Sequence, residues 1–198
     1  MKELELKALV PDLDASRRRI EASGGRLVFE GRLEDRRYDT EPRTLGKRDH
    51  VLRVRVYRDA SGARAELDWK GPTEYENGYK MREELSAGVA DADALVAILE
   101  RIGYVVTRAI DREIAQYELD GAMVRFERYP RMDVLVEVEG TPAGIERAAQ
   151  ATGIPRESFT SERLPDFVRR YEARTGARAA LCDSDLDERG ARYRVEDA

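Results

Sequence analysis

Charged and apolar residues alternate one by one through the clearest strand-like segments of this chain. Near the amino terminus, Glu3, Glu5 and Lys7 alternate with leucines, and the stretch VLRVRVY places Arg53 and Arg55 between apolar residues. Because neighbouring side chains of a strand point to opposite faces, such a segment has one charged face and one apolar face. Strand signals occur in residues 1–7, 26–40, 51–57, 63–70, 79–85, 104–110, 112–119, 122–128 and 134–139.

Short turns between several of these segments predict antiparallel hairpins, and Asp120-Gly121 is a typical turn of this kind. From alternation alone, the simplest interpretation is a sheet whose charged face lies in water. However, the charged faces are nearly gap-free, and they group carboxylates and guanidiniums into clusters. About eight such strands can also close into a barrel, which removes exposed edges. We therefore predict a mainly β (α+β) fold, an eight-stranded antiparallel β-barrel tunnel with a charged lumen and flanking α-helices.

Helical patterns separate the groups of strands. Capping residues mark the helix starts, glycines mark their ends, and the predicted helices begin near Asp12, Asp91, Thr141 and Pro165. Residues 177–198 are rich in Arg, Asp, Glu and Ala. We predict one domain over residues 1–176, followed by a charged, poorly ordered tail over residues 177–198.

The composition excludes several classes of protein. Of the 198 residues, 38% are charged, and the net charge of −5 argues against a general nucleic-acid binder. A single cysteine, Cys182, forms no internal disulfide, and a single histidine cannot build a zinc site of the usual kind. The longest wholly apolar stretch, Ala94 to Leu99, is too short to cross a membrane. We expect a cytoplasmic protein with no nucleic-acid and no membrane partner.

A lumen lined by charges of both signs suits a polyphosphate carried with a metal ion. Adjacent carboxylates on one strand face, such as Glu3 with Glu5, are hard oxygen ligands for Mg²⁺ or Mn²⁺. Rows of arginine and lysine match phosphate oxygens. Phosphoryl transfer needs metal ions, cations and a positioned nucleophile, but it requires no nucleophilic side chain. We therefore expect a small-molecule triphosphate as the partner.

Five sequence blocks, in order, resemble one protein family. Residues 3–7 (ELELK) resemble the ExExK signature of the CYTH proteins, which are the triphosphate tunnel metalloenzymes. The similarity covers about residues 1–175. The segments KGP (70–72) and KMREE (80–84) are most similar to the corresponding segments of the class IV adenylyl cyclase branch. The remaining blocks are YDT (38–40) with LRVR (52–55), WKGP (69–72) with KMREE (80–84), FERYP (126–130) and VEVEG (136–140).

The resemblance implies an antiparallel tunnel that binds a triphosphate with Mg²⁺ or Mn²⁺. It implies catalytic roles for Glu5, Lys70 and Glu84. It implies metal ligands, or their near neighbours, at Glu3, Glu5, Glu127, Glu137 and Glu139. It implies phosphate contacts by Lys7, Arg53, Arg55, Lys70, Lys80, Arg82, Arg108, Arg112 and Arg125.

Two positions depart from the family pattern. Ile110 stands where the family usually has a lysine, and Arg108, which has the same parity, could compensate for it. Glu127 stands where the family has a metal-binding aspartate and is one methylene longer. Both departures affect where the scissile phosphate lies, and therefore which product forms.

Three functions follow from these observations. The resemblance slightly favours a cyclase that converts ATP into cyclic AMP and pyrophosphate. The same tunnel could instead hydrolyse inorganic, nucleoside or thiamine triphosphate. A non-catalytic module that binds polyphosphate or a nucleotide is the third alternative. The sequence is compatible with a monomer or a homodimer.

Overall fold

The computed structural model describes residues 2–187, which form nine strands and four α-helices. The strands are β1 (Lys2–Leu9), β2 (Arg26–Thr40), β3 (Val51–Asp59), β4 (Gly62–Lys70), β5 (Glu74–Glu76), β6 (Tyr79–Val89), β7 (Tyr104–Leu119), β8 (Ala122–Arg128) and β9 (Leu135–Gly140). The helices are α1 (Leu13–Ala22), α2 (Ala92–Arg101), α3 (Pro142–Thr152) and α4 (Leu164–Thr175).

Eight of these strands close into an antiparallel barrel. Their order is β1-β9-β8-β7-β2-β3-β4-β6, and pairing between β6 and β1 completes the ring. Within residues 2–187, strand β5 pairs only with β6, and it lies outside the ring. The predicted mainly β fold and the predicted eight-stranded barrel are therefore confirmed. We call the rim at which β1 begins the lower rim, and the rim at which β1 ends the upper rim.

The apolar faces of the barrel strands point outward and are covered by helices. Leu6 and Val124 are fully buried beneath α3, which contributes Ile145 to the same cluster. On another side of the barrel, Leu99 of α2 packs with Tyr38 and other apolar residues of the strands. Each such side chain contributes about 1.5–3 kcal/mol when it is fully buried. No helix within residues 2–187 is long and apolar enough to cross a membrane.

Helix α4 lies across part of the upper rim. Before the helix, the backbone of Thr160 pairs with that of Lys7 in β1. After the helix, Ala180 pairs in the same way with Arg131, which follows β8. Phe167 packs against apolar residues of this rim. The helix is therefore attached to the barrel on both of its sides.

Residues 177–187 differ from the poorly ordered tail that the sequence predicts. Residues 179–182 are buried, and a 3-10 helix follows at Asp183–Asp185. The backbone N–H of Asp111 in β7 donates to the carbonyl of Leu181 at 2.7 Å. The composition was misleading because a short run of apolar residues is enough to fill the gap between β7 and the end of β8. The rest of the predicted tail, residues 188–198, lies outside the described residues.

Strand β7 is continuous, whereas the sequence predicts two strands that meet at Asp111. The Asp111 carboxylate accepts hydrogen bonds from Arg36 at 2.6 Å and from the backbone N–H of Asp183 at 3.2 Å. Because this outward carboxylate is paired, it can be buried while β7 continues its pairing with β2. A charge between two apolar residues therefore marks no strand boundary here.

Candidate active site

A cavity of about 90 Å³ lies inside the barrel and reaches the start of α4. Ten cationic side chains and four carboxylates line it, which is an excess of six positive charges when all are ionised. Glu3, Glu84, Arg108 and Glu139 were predicted for the site but do not line this cavity. The predicted site residues that do line it are Glu5, Lys7, Arg53, Arg55, Lys70, Lys80, Arg82, Arg112, Arg125, Glu127 and Glu137.

Two buried carboxylates hold the arginines of β3 in the lumen. Asp68 accepts a hydrogen bond from Arg53 at 2.9 Å and lies 3.3 Å from Arg55. Asp35 lies 3.3 Å from Arg53 and 3.6 Å from Arg55. Because each guanidinium has five donors, these contacts orient the arginines and leave further donors for a ligand.

Glu127 is fully engaged by side chains of the barrel. One carboxylate oxygen accepts hydrogen bonds from Arg112 at 2.9 Å and Arg125 at 3.2 Å, and the other accepts from the Tyr129 hydroxyl at 2.6 Å. Burial alone would raise the pKa of Glu127, but Arg112 and Arg125 lower it to about 2. In this structure Glu127 therefore acts as a counter-ion for arginines, and its predicted role as a metal ligand stays a prediction.

A chain of alternating charges crosses the lumen at β1. Lys7 contacts both Glu5 and Glu137, and Lys80 lies 2.7 Å from Glu5. Burial would raise the pKa of Glu5, but the two lysines hold it well below its usual range. Burial lowers the pKa of Lys80 to about 8, although Glu5 opposes the change. Arg125 contacts Glu137 as well. A polyanion that enters this region therefore competes with carboxylates for the lysines.

Lys70 and Glu84 form a contact on the adjoining strands β4 and β6. Burial lowers the pKa of Lys70 to about 7, and the charge of Arg53 lowers it further while Glu84 opposes it. A lysine with this pKa is partly neutral near pH 7 and can accept a proton, as a general base must. Two of the three residues predicted to be catalytic, Lys70 and Glu84, are thus in contact, and the Lys70 side chain faces the cavity.

Three carboxylates are grouped nearer the lower rim. Burial raises the pKa of Glu3 to about 7, and the charges of Glu139 and Glu84 raise it further. Such crowding of carboxylate oxygens fits a hard divalent cation, which would relieve the repulsion between them. Within residues 2–187, however, no three acidic, histidine or cysteine side chains already form a metal-binding group. The donor chemistry fits Mg²⁺ or Mn²⁺, and the side chains would rearrange to bind it.

The remaining predicted cations have other surroundings. Arg82 donates to the backbone carbonyl of Gly71 at 2.6 Å and to the carbonyl of Asp49. Arg108 is buried beside Arg37, and burial together with Arg108 lowers the pKa of Arg37 to about 9. Ile110 packs in an apolar cluster that includes Phe167 of α4. The position where the family has a lysine is therefore part of the contact with α4.

Sequence reasoning missed four polar residues that line the cavity. Asp35 and Arg37 lie on β2, and Tyr129 follows β8. Arg163 is the N-cap residue of α4, where the side chain of Asp166 accepts a hydrogen bond from its backbone N–H at 2.9 Å. Parity gives no signal for Asp35 and Arg37, because residues 34–37 are all charged. Their inward direction follows from the pairing of β2 with β3, which places Asp35 opposite Arg55 and Arg37 opposite Arg53. No local signal points to Tyr129 or Arg163, because both reach the cavity through tertiary packing.

A closed antiparallel barrel with this surplus of buried cations defines a tunnel-type binding site for polyanions. The chain belongs to the CYTH domain family, whose model matches residues 1–142. CYTH proteins are typically metal-dependent enzymes that bind and act on triphosphates. The segments that cover the upper rim, including α4, follow the matched region.

Solved structures of low sequence identity share this fold. A Vibrio parahaemolyticus protein, provisionally assigned as an adenylate cyclase, matches with a TM-score of 0.72 and 19% identity, over 84% of this chain and 97% of its own. A Pyrococcus horikoshii protein matches with a TM-score of 0.68 and 20% identity, over 81% of this chain and 94% of its own. A Hippeastrum protein matches with a TM-score of 0.58 and 17% identity, over 81% of this chain and 90% of its own. That protein is provisionally assigned as an adenylyl cyclase and is described with a dominant triphosphatase activity. The chain has no significant match among curated proteins.

Proposed function

We propose that this protein is a metal-dependent enzyme that converts ATP into cyclic AMP and pyrophosphate, in the manner of class IV adenylyl cyclases. The observation that carries the proposal is the excess of six positive charges around a buried cavity. Buried charges are costly unless they are paired, so this lumen favours a ligand of high negative charge. Membership of a family that acts on triphosphates makes a triphosphate the best-supported ligand.

A groove at the upper rim supports a nucleoside triphosphate rather than inorganic triphosphate alone. Its volume is about 490 Å³, and it shares Arg37, Val51 and Arg163 with the lining of the cavity. Tyr38 and His50 also line this groove. We place the phosphate chain in the cavity and the nucleoside in the groove, because the groove has room for an organic group and the cavity does not.

In the proposed reaction, the 3′-hydroxyl oxygen of ATP attacks the α-phosphorus. The bond between that phosphorus and the bridging oxygen breaks, and pyrophosphate leaves with the electron pair. Lys70 accepts the hydroxyl proton, since its pKa of about 7 leaves part of the amine neutral, and Glu84 orients that amine. Arg53 and Arg112 bind the non-bridging oxygens. A divalent cation, held by glutamates such as Glu3, Glu137 and Glu139, would neutralise charge on the pyrophosphate.

Hydrolysis of a triphosphate is the second candidate, and the environment of Lys70 favours it as well. A base inside an ionic lumen can activate water, which would attack the terminal phosphorus and release orthophosphate. This reaction requires no nucleoside site. The Hippeastrum protein, which has the same fold, is described with a dominant triphosphatase activity. Inorganic, nucleoside and thiamine triphosphates are all possible substrates of this second reaction.

A product assay tests both reactions. The protein is incubated separately with ATP and with inorganic triphosphate, each with Mg²⁺ or Mn²⁺, and the products are separated by chromatography. Cyclic AMP with pyrophosphate supports the cyclase, whereas orthophosphate without cyclic AMP supports the hydrolase. Binding without any product would indicate a non-catalytic module. A cytoplasmic location and a monomeric or homodimeric state remain predictions from the sequence.

A substitution at Glu137 tests whether the site lies in the lumen. We expect Glu137→Gln to lower turnover by about 10- to 100-fold, because the variant loses a carboxylate from the metal-binding end. Glu30→Gln is the matched control, since Glu30 is half-exposed and pairs with Arg17 of α1. Circular dichroism checks that both variants fold. Full activity of Glu137→Gln would contradict the assigned site.

A further inference from the structure

Four apolar side chains fill part of the lumen between the cavity and the lower rim. Phe29, Leu33, Tyr57 and Ile114 are at most 9% exposed and form a cluster of their own. The rings of Phe29 and Tyr57 meet edge to face with centroids 5.4 Å apart. On the lower-rim side of this cluster, the guanidinium of Arg64, the cross-strand partner of Tyr57 on β4, lies 3.7 Å from the centroid of the Tyr57 ring. We call these four apolar residues the lumen plug.

The lumen plug belongs to the inward faces of the same strands that carry the cations. Leu33 has the parity of Asp35 on β2, and Ile114 has the parity of Arg112 on β7. Tyr57 stands two residues beyond Arg55, and its hydroxyl accepts a hydrogen bond from Arg55 at 3.2 Å. The row of phosphate-binding groups therefore ends directly at an apolar barrier.

The rest of the lower rim is unfavourable for a phosphate chain for an electrostatic reason. Glu3, Glu84 and Glu139 lie on β1, β6 and β9, and their charges act on one another. While no cation is bound, carboxylates in this arrangement repel a polyanion that would pass between them, and a divalent cation held by them would itself occupy this side of the rim. Phosphate groups are thus stopped by packing on one side of the lower rim and by like charge on the other.

The upper rim has the opposite character. Its groove of about 490 Å³ is lined by Arg37, Arg43 and Arg163, and it adjoins the cavity. Helix α4 covers the side of this rim at Ile110 and Tyr129, where it packs in one apolar cluster with them. The side at Arg37 and Val51 leads from the groove to the cavity. A phosphate chain can therefore approach along cations from this rim.

We infer that the barrel is a one-ended pocket, which takes the free end of a phosphate chain through the upper rim and stops it at the lumen plug. The inference rests on the proposed function, because it assumes that the lumen binds a triphosphate group. It adds that the substrate has an unesterified terminal phosphate, which stops near Arg55. It also means that a long linear polyphosphate binds only by its ends and does not thread through the barrel.

The number of proteins bound per polyphosphate chain tests this inference. Linear polyphosphates of increasing length are mixed with excess protein, and the complexes are sized by sedimentation velocity. A one-ended pocket accepts at most two proteins per chain, one at each end, whatever the chain length. A number that rises with chain length would overturn the inference. The Arg53→Ala variant has a weakened lumen site, so the polyphosphate that it still binds measures binding to the outer surface. That amount is subtracted from the value for the unaltered protein.

A matched pair of variants tests the role of the lumen plug. Leu33→Ala and Leu6→Ala each remove the same atoms from a fully buried leucine, but only Leu33 lies in the lumen. We expect more than two proteins per long chain for Leu33→Ala and two for Leu6→Ala. If Leu33→Ala does not fold, the stoichiometry of the unaltered protein still decides. Because no turnover is measured, absence of cyclic AMP would count against the proposed function without affecting this result.

Discussion

Asp35 is the carboxylate on which three arginines of the lumen depend. It is 1% exposed, and its Oδ2 lies 3.3 Å from Arg53, 3.6 Å from Arg55 and 4.0 Å from Arg112. Burial would raise the pKa of Asp35, but Arg53 and Arg55 hold it well below its usual range. We predict that Asp35→Asn lowers the free energy of unfolding by about 3–5 kcal/mol, because the arginines lose a buried counter-charge. Urea-induced unfolding followed by circular dichroism measures this loss.

An added anion should restore part of the stability that Asp35→Asn loses. Inorganic triphosphate would supply negative charge to the same arginines, so its effect on the melting temperature should be larger in Asp35→Asn than in the unaltered protein. Asp120→Asn is the control, since Asp120 is exposed and its loss changes stability by at most about 0.5 kcal/mol. Equal stability of Asp35→Asn and the unaltered protein would show that Asp35 is no structural counter-ion.

At this scale the sequence predicted the inward charges most clearly where one parity was purely charged. On β1 and β3 the pattern is strict, and the predicted residues face the lumen. On β2, residues 34–37 are all charged, so parity alone could not separate Asp35 from its outward neighbours. The outward Glu34 and Arg36 are charged because they pair outside the barrel, with Arg58 and Asp111 respectively. The alternation of charged and apolar residues disappears where both faces of a strand carry charged side chains.

At the scale of elements, the segment that follows α4 is part of the barrel wall. Ala180 is fully buried, and its backbone N–H donates to the carbonyl of Arg131 at 2.8 Å. Leu181 packs in the same apolar cluster as Ile110 and Phe167. We predict that a chain ending at Gly176 loses at least about 3 kcal/mol of unfolding free energy, because burial of a leucine alone contributes about 1.5–3 kcal/mol. Denaturant titration measures the change.

A chain ending at Asp187 is the matched control for this truncation, because it keeps every contact described for residues 177–187. The loss is measured as the difference in free energy of unfolding between this chain and the chain ending at Gly176. Equal stability of the chain ending at Gly176 would mean that the packing of residues 179–182 contributes little. The truncation at Gly176 also distinguishes a packed segment from the unpacked tail that composition alone suggests. Removal of an unpacked tail would leave the free energy of unfolding unchanged.

At the scale of the molecule, closure of the barrel was predictable and the division of its lumen was not. Alternation alone favours a sheet with one face in water. Closure was predicted because the charged faces are nearly gap-free and clustered, and because a ring of about eight such strands has no exposed edges. The lumen plug was missed because Leu33, Tyr57 and Ile114 are apolar residues at inward positions, where parity predicts charge. Their meeting depends on the register of three strands that are distant in sequence. Local pattern carries no information about that register.

The electrostatics of the whole lumen predict that triphosphate binding takes up protons. Burial lowers the pKa of Lys70 to about 7 and that of Lys80 to about 8, so both amines are partly neutral at slightly alkaline pH. A bound polyanion favours the ammonium forms and raises both pKa values, so affinity should fall as the pH rises through this range. Titration calorimetry without metal, in two buffers of different ionisation enthalpy at a pH near 8, counts the protons. In Lys70→Arg with Lys80→Arg the uptake should vanish, since arginine stays charged. Equal proton uptake by the unaltered protein and by this double variant would contradict the assignment of the uptake to the two buried lysines.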